Sequence, residues 1–229
     1  MTQQPSTTET TELPVRRWEG LTIPTPGRYQ LDEAHKRVGF QTQHMMVSPV
    51  RGEFTQARAA IVVAEDPLRS AVSASILTSS ISTQNDDRDS HLRSADFLDV
   101  ERYPTLEFRS TRVEHKQPAA DPMLGWARLR GRNPERSTVL AATSTTAEFA
   151  VHGVLTICGV SRPTTLDLTF GGASRDPYGR DIFGFSAVAE IDREDFGLTW
   201  NVVLEAGGWL VGKKVRIEIA GEAIRQSED

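Results

Sequence analysis

The stretch Thr164-Thr165-Leu166-Asp167-Leu168-Thr169-Phe170 decides the fold class. Leu166, Leu168 and Phe170 share one parity, and Thr165, Asp167 and Thr169 take the other. Successive side chains of a strand point to opposite faces, so this alternation reads as a strand with one face buried and one in water. The same period recurs on both sides. Upstream, Phe149, Val151, Leu155 and Ile157 share a parity; downstream come Phe183, Phe185, Ala187, Ala189 and Ile191, then Val211, Val215, Ile217 and Ile219. Ser161-Arg162-Pro163, Gly171-Gly172 and Asp176-Pro177-Tyr178-Gly179 read as the turns between these runs. The first half is weaker but similar. Val38, Phe40, Thr42 and His44 fall on one parity, a strand beginning near Val50 reaches Phe54, and Val72, Ala74, Ile76 and Thr78 precede Leu106, Phe108 and Ser110. Eight or nine strands with mostly short links predict an all-β, antiparallel barrel or sandwich.

Three segments break the period. Asn85-Asp86-Asp87-Arg88-Asp89-Ser90-His91-Leu92 offers cap residues and then a short helix, after the fourth strand region. His115 to Thr146 carries Pro118, Pro122, Gly125, Gly131 and Pro134 among several arginines, and reads as a long inserted loop, 115–146. Residues 1–26 are rich in Thr, Pro, Gln and Glu and read as a flexible arm, with Trp18, Leu21 and Ile23 available to dock on the domain. The domain itself is expected over 27–225.

Composition removes several function classes. The 229 residues are 38% hydrophobic and 25% charged, which suits one globular core. The net charge of -5 argues against a nucleic-acid binder, which is normally basic. One cysteine, Cys158, permits no internal disulfide, and it reads as a small residue of an apolar strand. No apolar run reaches the ~18 residues of a membrane span. The N-terminus lacks the basic start and apolar core of a secretory signal, so the expected location is cytoplasmic.

Catalytic motifs are sparse. Gly207 to Lys213 has the spacing of a phosphate loop, but Lys214 stands where Ser or Thr would hold magnesium, and a strand follows where a helix is needed. Carboxylates lie near His35 (Asp32, Glu33) and His91 (Asp87, Asp89), so each histidine offers a carboxylate–imidazole pair of the kind a general base uses. Such pairs are also ordinary polar contacts in structural networks.

Several segments together resemble the YceI-like family of polyisoprenoid-binding, lipocalin-like proteins. They are Tyr29-Gln30-Leu31-Asp32-Glu33-Ala34-His35 with Val38-Gly39-Phe40 and His44; Val50-Arg51-Gly52-Glu53-Phe54; and Ser80 to Asn85. Arg88-Asp89-Ser90-His91-Leu92 follows and runs on to Asp99-Val100, with Tyr103-Pro104-Thr105-Leu106-Glu107-Phe108 after it. Gly153-Val154-Leu155-Thr156-Ile157-Cys158-Gly159-Val160 and Ile191-Asp192-Arg193-Glu194-Asp195-Phe196-Gly197-Leu198 complete the set. The resemblance implies an eight-stranded antiparallel lipocalin-like barrel that binds, carries or sequesters a polyisoprenoid or similar amphiphile without catalysis. The residues it and the parity assign to the ligand are Phe40, His44, Phe54, Ile76, Arg88, His91, Phe97, Phe108, Leu155, Ile157, Phe183 and Phe185. Arg88 and Asp89 are expected to form a pair that either binds a head group or pins the helix.

No catalytic residue, metal or cofactor is expected, nor nucleic acid, nor stable membrane insertion; a homodimer stays open. Parity alone favours a barrel filled by its own side chains, and the family resemblance reverses that preference. That alternative is an interaction or stress-response module with the Arg-bearing loop as its contact surface. A third is a His-dependent enzyme acting on prenyl diphosphates.

Overall fold

The computed structural model describes residues 13–45, 47–116, 147–203 and 210–227. The strands are β1 (Val15–Trp18), β2 (Leu21–Pro24), β3 (Gly27–His44), β4 (Ser48–Phe54), β5 (Ala57–Val63), β6 (Ala71–Leu77) and β7 (Ile81–Ser82). The helix α1 (Asp86–Arg93) follows, then β8 (Thr105–His115), β9 (Glu148–Ile157), β10 (Val160–Arg175), β11 (Asp181–Asp192) and β12 (Val211–Arg225). The ring runs β12-β11-β10-β9-β8-β6-β5-β3, and β3 pairs back onto β12 to close it. This is a closed eight-stranded antiparallel barrel. β4 continues the line of β5 along the far half of β3, and β7 flanks β4. Closure leaves the inner parity of every ring strand one common place to go, the lumen.

The register explains where the sequence pattern slips. β8 shifts between Ser110 and Arg112, so the inward series Leu106, Phe108 passes to Val113 on the other parity. Ser110 instead uses its Oγ to accept the Val72 N–H at 2.8 Å. Two predicted turns are not turns. Pro163 and Gly171-Gly172 both lie within β10. Pairing of β10 with β11 begins only at Asp167, so Pro163 has no ladder neighbour on that side to miss its absent N–H. Gly171 marks a bulge against Gly184. The true turn between β9 and β10 is Cys158-Gly159, with φ of 49° and 73°, the left-handed pair that a two-residue hairpin turn demands. Cys158 is therefore a turn residue, not a strand residue.

The arm reading covers residues 1–26, and its last part needs correction. Residues 15–24 form the antiparallel hairpin β1–β2, turning at Glu19-Gly20 with φ of 47° and 84°. Leu21 and Ile23 are buried in the same apolar cluster as the barrel, and Trp18 packs against it. Docking of three apolar side chains overrides the polar composition. Most of the expected 115–146 insertion, residues 117–146, lies outside the described residues; His115 belongs to β8.

The barrel has two distinct ends. One, the helix end, gathers α1, the β3–β4 and β9–β10 turns and the 3-10 turn Arg193–Phe196. The other, the hairpin end, gathers β1–β2 and the 3-10 turn Pro67–Arg69. The helix starts where the sequence places it: Asn85 Oδ1 accepts the Arg88 N–H at 2.9 Å.

Candidate functional site

The barrel encloses a cavity of about 340 Å³. Its wall is almost wholly apolar, built from the inward parity of the ring strands. Of the candidate residues, Phe40, Phe54, Ile76, Phe97, Phe108, Leu155, Ile157, Phe183 and Phe185 line it. Two glycines make room for large rings at the wall. A Cβ on Gly52 would stand 2.4 Å from Phe40 Cζ, and one on Gly153 would stand 2.4 Å from Phe108 Cζ and 2.6 Å from the Arg109 carbonyl. Each ring reaches over a neighbouring strand at a residue with no side chain, and so takes its place against the wall. Further along, Phe183 packs edge-on against Tyr29 at 4.9 Å and lies 6.1 Å from Phe185.

His44, Arg88 and His91 do not reach the cavity. His44 ends β3, opposite Ser48 and Val211. Arg88 does not pair with Asp89. Its Nε donates to Thr83 Oγ1 at 2.7 Å and its Nη2 to the Thr83 carbonyl at 3.0 Å. Asp89 is buried and takes the Thr83 N–H at 2.8 Å and the Thr83 hydroxyl at 2.5 Å. Arg93 adds donations to the Ser79 and Ile81 carbonyls at 3.0 and 2.6 Å. The reason is local: the strand before the helix ends in unpaired main-chain groups, and these three side chains satisfy them. His91 Nε2 meets Asp96 Oδ2 at 2.9 Å, not Asp87 or Asp89, and its ring stands edge-on to Phe97 and Trp200 at 5.1 and 4.5 Å. It braces Phe97 from outside while Phe97 faces the lumen.

Among the wall residues that sequence reasoning missed are Ile23 and Pro24 from the hairpin, Leu98 beyond the helix, and Arg193. Arg193 is only 3% exposed. Its Nε donates to the Gly212 carbonyl at 3.0 Å, its Nη1 to those of Trp200 at 3.1 Å and Leu198, and its Nη2 to that of Val211 at 3.4 Å. Burial lowers the Arg193 pKa, while Glu194 and Asp192 act against the shift. The Ile191-Asp192-Arg193 run held the signal: the parity that puts Ile191 on the wall puts Arg193 there too. Cys158 Sγ lies 3.5 Å from the Phe97 and Leu98 carbonyls, and burial pushes its thiol pKa up, which disfavours the thiolate a nucleophile needs.

Two histidine–carboxylate pairs lie on the outer wall. His35 Nδ1 is 2.9 Å from Asp32 Oδ2 and 3.8 Å from Glu222 Oε2. The hydrogen bond from His35 holds the Asp32 carboxyl below its ordinary value, and the same bond raises the imidazole. These three residues are also the group, among those described, with donor atoms close enough to share one ion. They sit where residues 32–35 bulge opposite Glu222, outside the barrel. His152 Nε2 meets Glu114 at 2.9 Å, and that bond lowers the Glu114 carboxyl. Neither imidazole lines the cavity. Among the described residues, no helix is long and apolar enough to cross a membrane.

Comparison with known proteins places the architecture. The family model of the YceI-like domain matches residues 29–223. A UPF0312 protein of Staphylococcus epidermidis is 32% identical over 197 residues, covering 85% of this chain and 96% of that one. Among solved structures, BcnA of Burkholderia cenocepacia is similar at a TM-score of 0.61 and 18% identity, covering 84% of this chain and 98% of its own. A polyisoprenoid binding domain from Saccharophagus degradans, implicated in plant cell wall breakdown, is similar at a TM-score of 0.53 and 12% identity, over 88% and 99%. At those identities the two structures speak for the fold.

Proposed function

The chain belongs to the YceI-like domain family, and from that premise we propose that it binds one amphiphile with its apolar tail inside the barrel, as a carrier or sequestering protein and not as an enzyme. The observation that carries this is the apolar cavity, with the Phe40 and Phe108 rings seated over Gly52 and Gly153 on its wall. A core selected only for stability would be close-packed. The nine candidate residues on the wall are the tail contacts; Arg88, Asp89 and His91 hold the helix in place. The imidazole–carboxylate pairs stand outside the lumen, which argues against a reaction on a bound prenyl diphosphate. The polyisoprenoid-binding likeness supports an isoprenoid tail as the cargo. Burying on the order of 300 Å² of such a tail is worth about 7 kcal/mol at ~25 cal/mol per Å², before the entropy of association is subtracted.

Native mass spectrometry of the purified chain, before and after titration with prenyl alcohols, tests the reading. A co-purified lipid, or saturable one-to-one uptake, supports it. An apo mass with no uptake overturns it and favours the filled-barrel module. Gly52→Ala, whose Cβ would first meet the Phe40 ring and the Thr83 methyl, pushes the Phe40 ring off its place on the wall and is expected to weaken uptake at least tenfold.

A further inference from the structure

The hairpin β1–β2 lies before the matched family region, which begins at residue 29. It nevertheless contributes to the cavity wall: Ile23 is 1% exposed, and Ile23 and Pro24 both face the lumen at the hairpin end. It is fastened on several sides. Trp18 meets the His115 ring at 5.5 Å, Arg16 Nη2 donates to the Ala64 carbonyl at 2.7 Å, and the Thr25 N–H reaches the Pro14 carbonyl at 3.1 Å. A segment so held is a stopper and not a strand laid loosely across an opening. At the other end of the lumen stands Arg193, a buried charge with polar neighbours. An amphiphile in this barrel therefore directs its head toward the helix end and its tail toward Ile23.

The volume then sets a length. A cavity of about 340 Å³ holds roughly eleven groups of water size at ~30 Å³ each. At five carbons per isoprene that is about two to three units. We propose that the hairpin is a tail stop that restricts this chain to short-chain isoprenoids; the inference rests on the tail-binding reading above. A tail of eight units finds no room unless the hairpin leaves.

The test is the affinity of the full chain for prenyl alcohols of two, three, four and eight isoprene units, compared with Ile23→Ala and with a deletion of residues 1–24. Thermal melting checks each variant's fold, and if the deletion does not fold, Ile23→Ala carries the test. The native chain is expected to bind best at two to three units and at least tenfold more weakly at four and eight. Ile23→Ala frees the space of three carbons, less than one isoprene unit, and is expected to narrow the gap between three and four units, whereas the deletion is expected to remove the cut-off. Equal affinity of the native chain for three and eight units, or a cut-off unchanged in both variants, overturns the tail stop and leaves tail binding intact. Failure of the native chain to bind any prenyl alcohol overturns the tail-binding reading itself.

Discussion

The two ends of the barrel are built by different chemistry. The helix end is held by directed hydrogen bonds: Asp89 and Arg88 on Thr83, Arg93 on two carbonyls, Arg193 on four, and Asn201 bridging both main-chain groups of Val211 at 2.8 and 3.0 Å. The hairpin end is held mainly by buried apolar surface, with Leu21 and Ile23 in one buried cluster with Val63 and Tyr29, and Trp18 against Phe149 at 6.3 Å. Directed bonds fix positions but tolerate no missing partner; apolar burial is graded and forgiving. A barrel that must admit a ligand needs one end that keeps its shape and one that sets how far the ligand goes.

The largest effect should come from the helix end. Asp89→Ala leaves the Thr83 N–H and hydroxyl without their buried acceptor, and about 3 kcal/mol of stability should be lost in urea unfolding. A loss below about 1 kcal/mol would show that water can replace the carboxylate, and that this end is less firmly held than its hydrogen bonds imply. At the other end, Leu21→Ala should cost about 2 kcal/mol, near the low edge for a buried leucine because the hairpin is peripheral. Hydrogen exchange should speed up in β1 and β2 while β9 and β10 keep their protection; a uniform loss would mean the hairpin is part of the cooperative barrel.

Between the ends, Phe185→Ala should cost only about 1–2 kcal/mol against the ~3–5 of a fully packed phenylalanine, since its lumen face has few atoms to lose. A full-sized loss together with no lipid uptake would mean the centre is packed after all. The smallest effect belongs to the exposed Asp32–His35 pair, which belongs to neither set of contacts. Its contribution is complete between about pH 3.9 and about pH 6.5, the ordinary carboxylate and imidazole values. It is lost as pH rises through the raised value of His35, or falls through the lowered value of Asp32. Melting followed across that range should show a shallow fall on both sides, and Asp32→Asn should flatten it.

The same contrast explains what was legible in the sequence. Alternation in Leu166–Phe170 and Phe183–Ile191 gave away the strands because one face of each is apolar and buried or half-buried along its length. Asn85 showed the helix start because a cap is a local event. The hairpin escaped because Val15-Arg16-Arg17-Trp18 is half charged and its turn is Glu19-Gly20, a weaker signal than Asn-Gly; its fastening comes from partners as distant as Ala64, His115 and Phe149. Residue type suggests polarity without direction, so Arg88 and His91 read as ligand contacts in the sequence, whereas the helix turns both away from the lumen. Arg193 was missed for the opposite reason: a charge in an apolar series is usually read as outward.

Ring closure has a consequence in time. The β3–β12 seam joins residues as far apart as Thr42 and Lys214, whose side chain and carbonyl meet at 3.0 Å across a separation of 172 residues. At synthesis rates of ~5–20 residues per second, β3 waits roughly ten to thirty seconds for its partner. During that wait the nascent sheet is open along one edge and its greasy inner face is in water. Nothing local rewards closure early, so the seam is a late and slow event in a topology already dominated by distant pairings. The cell must shield that face until the last strand arrives.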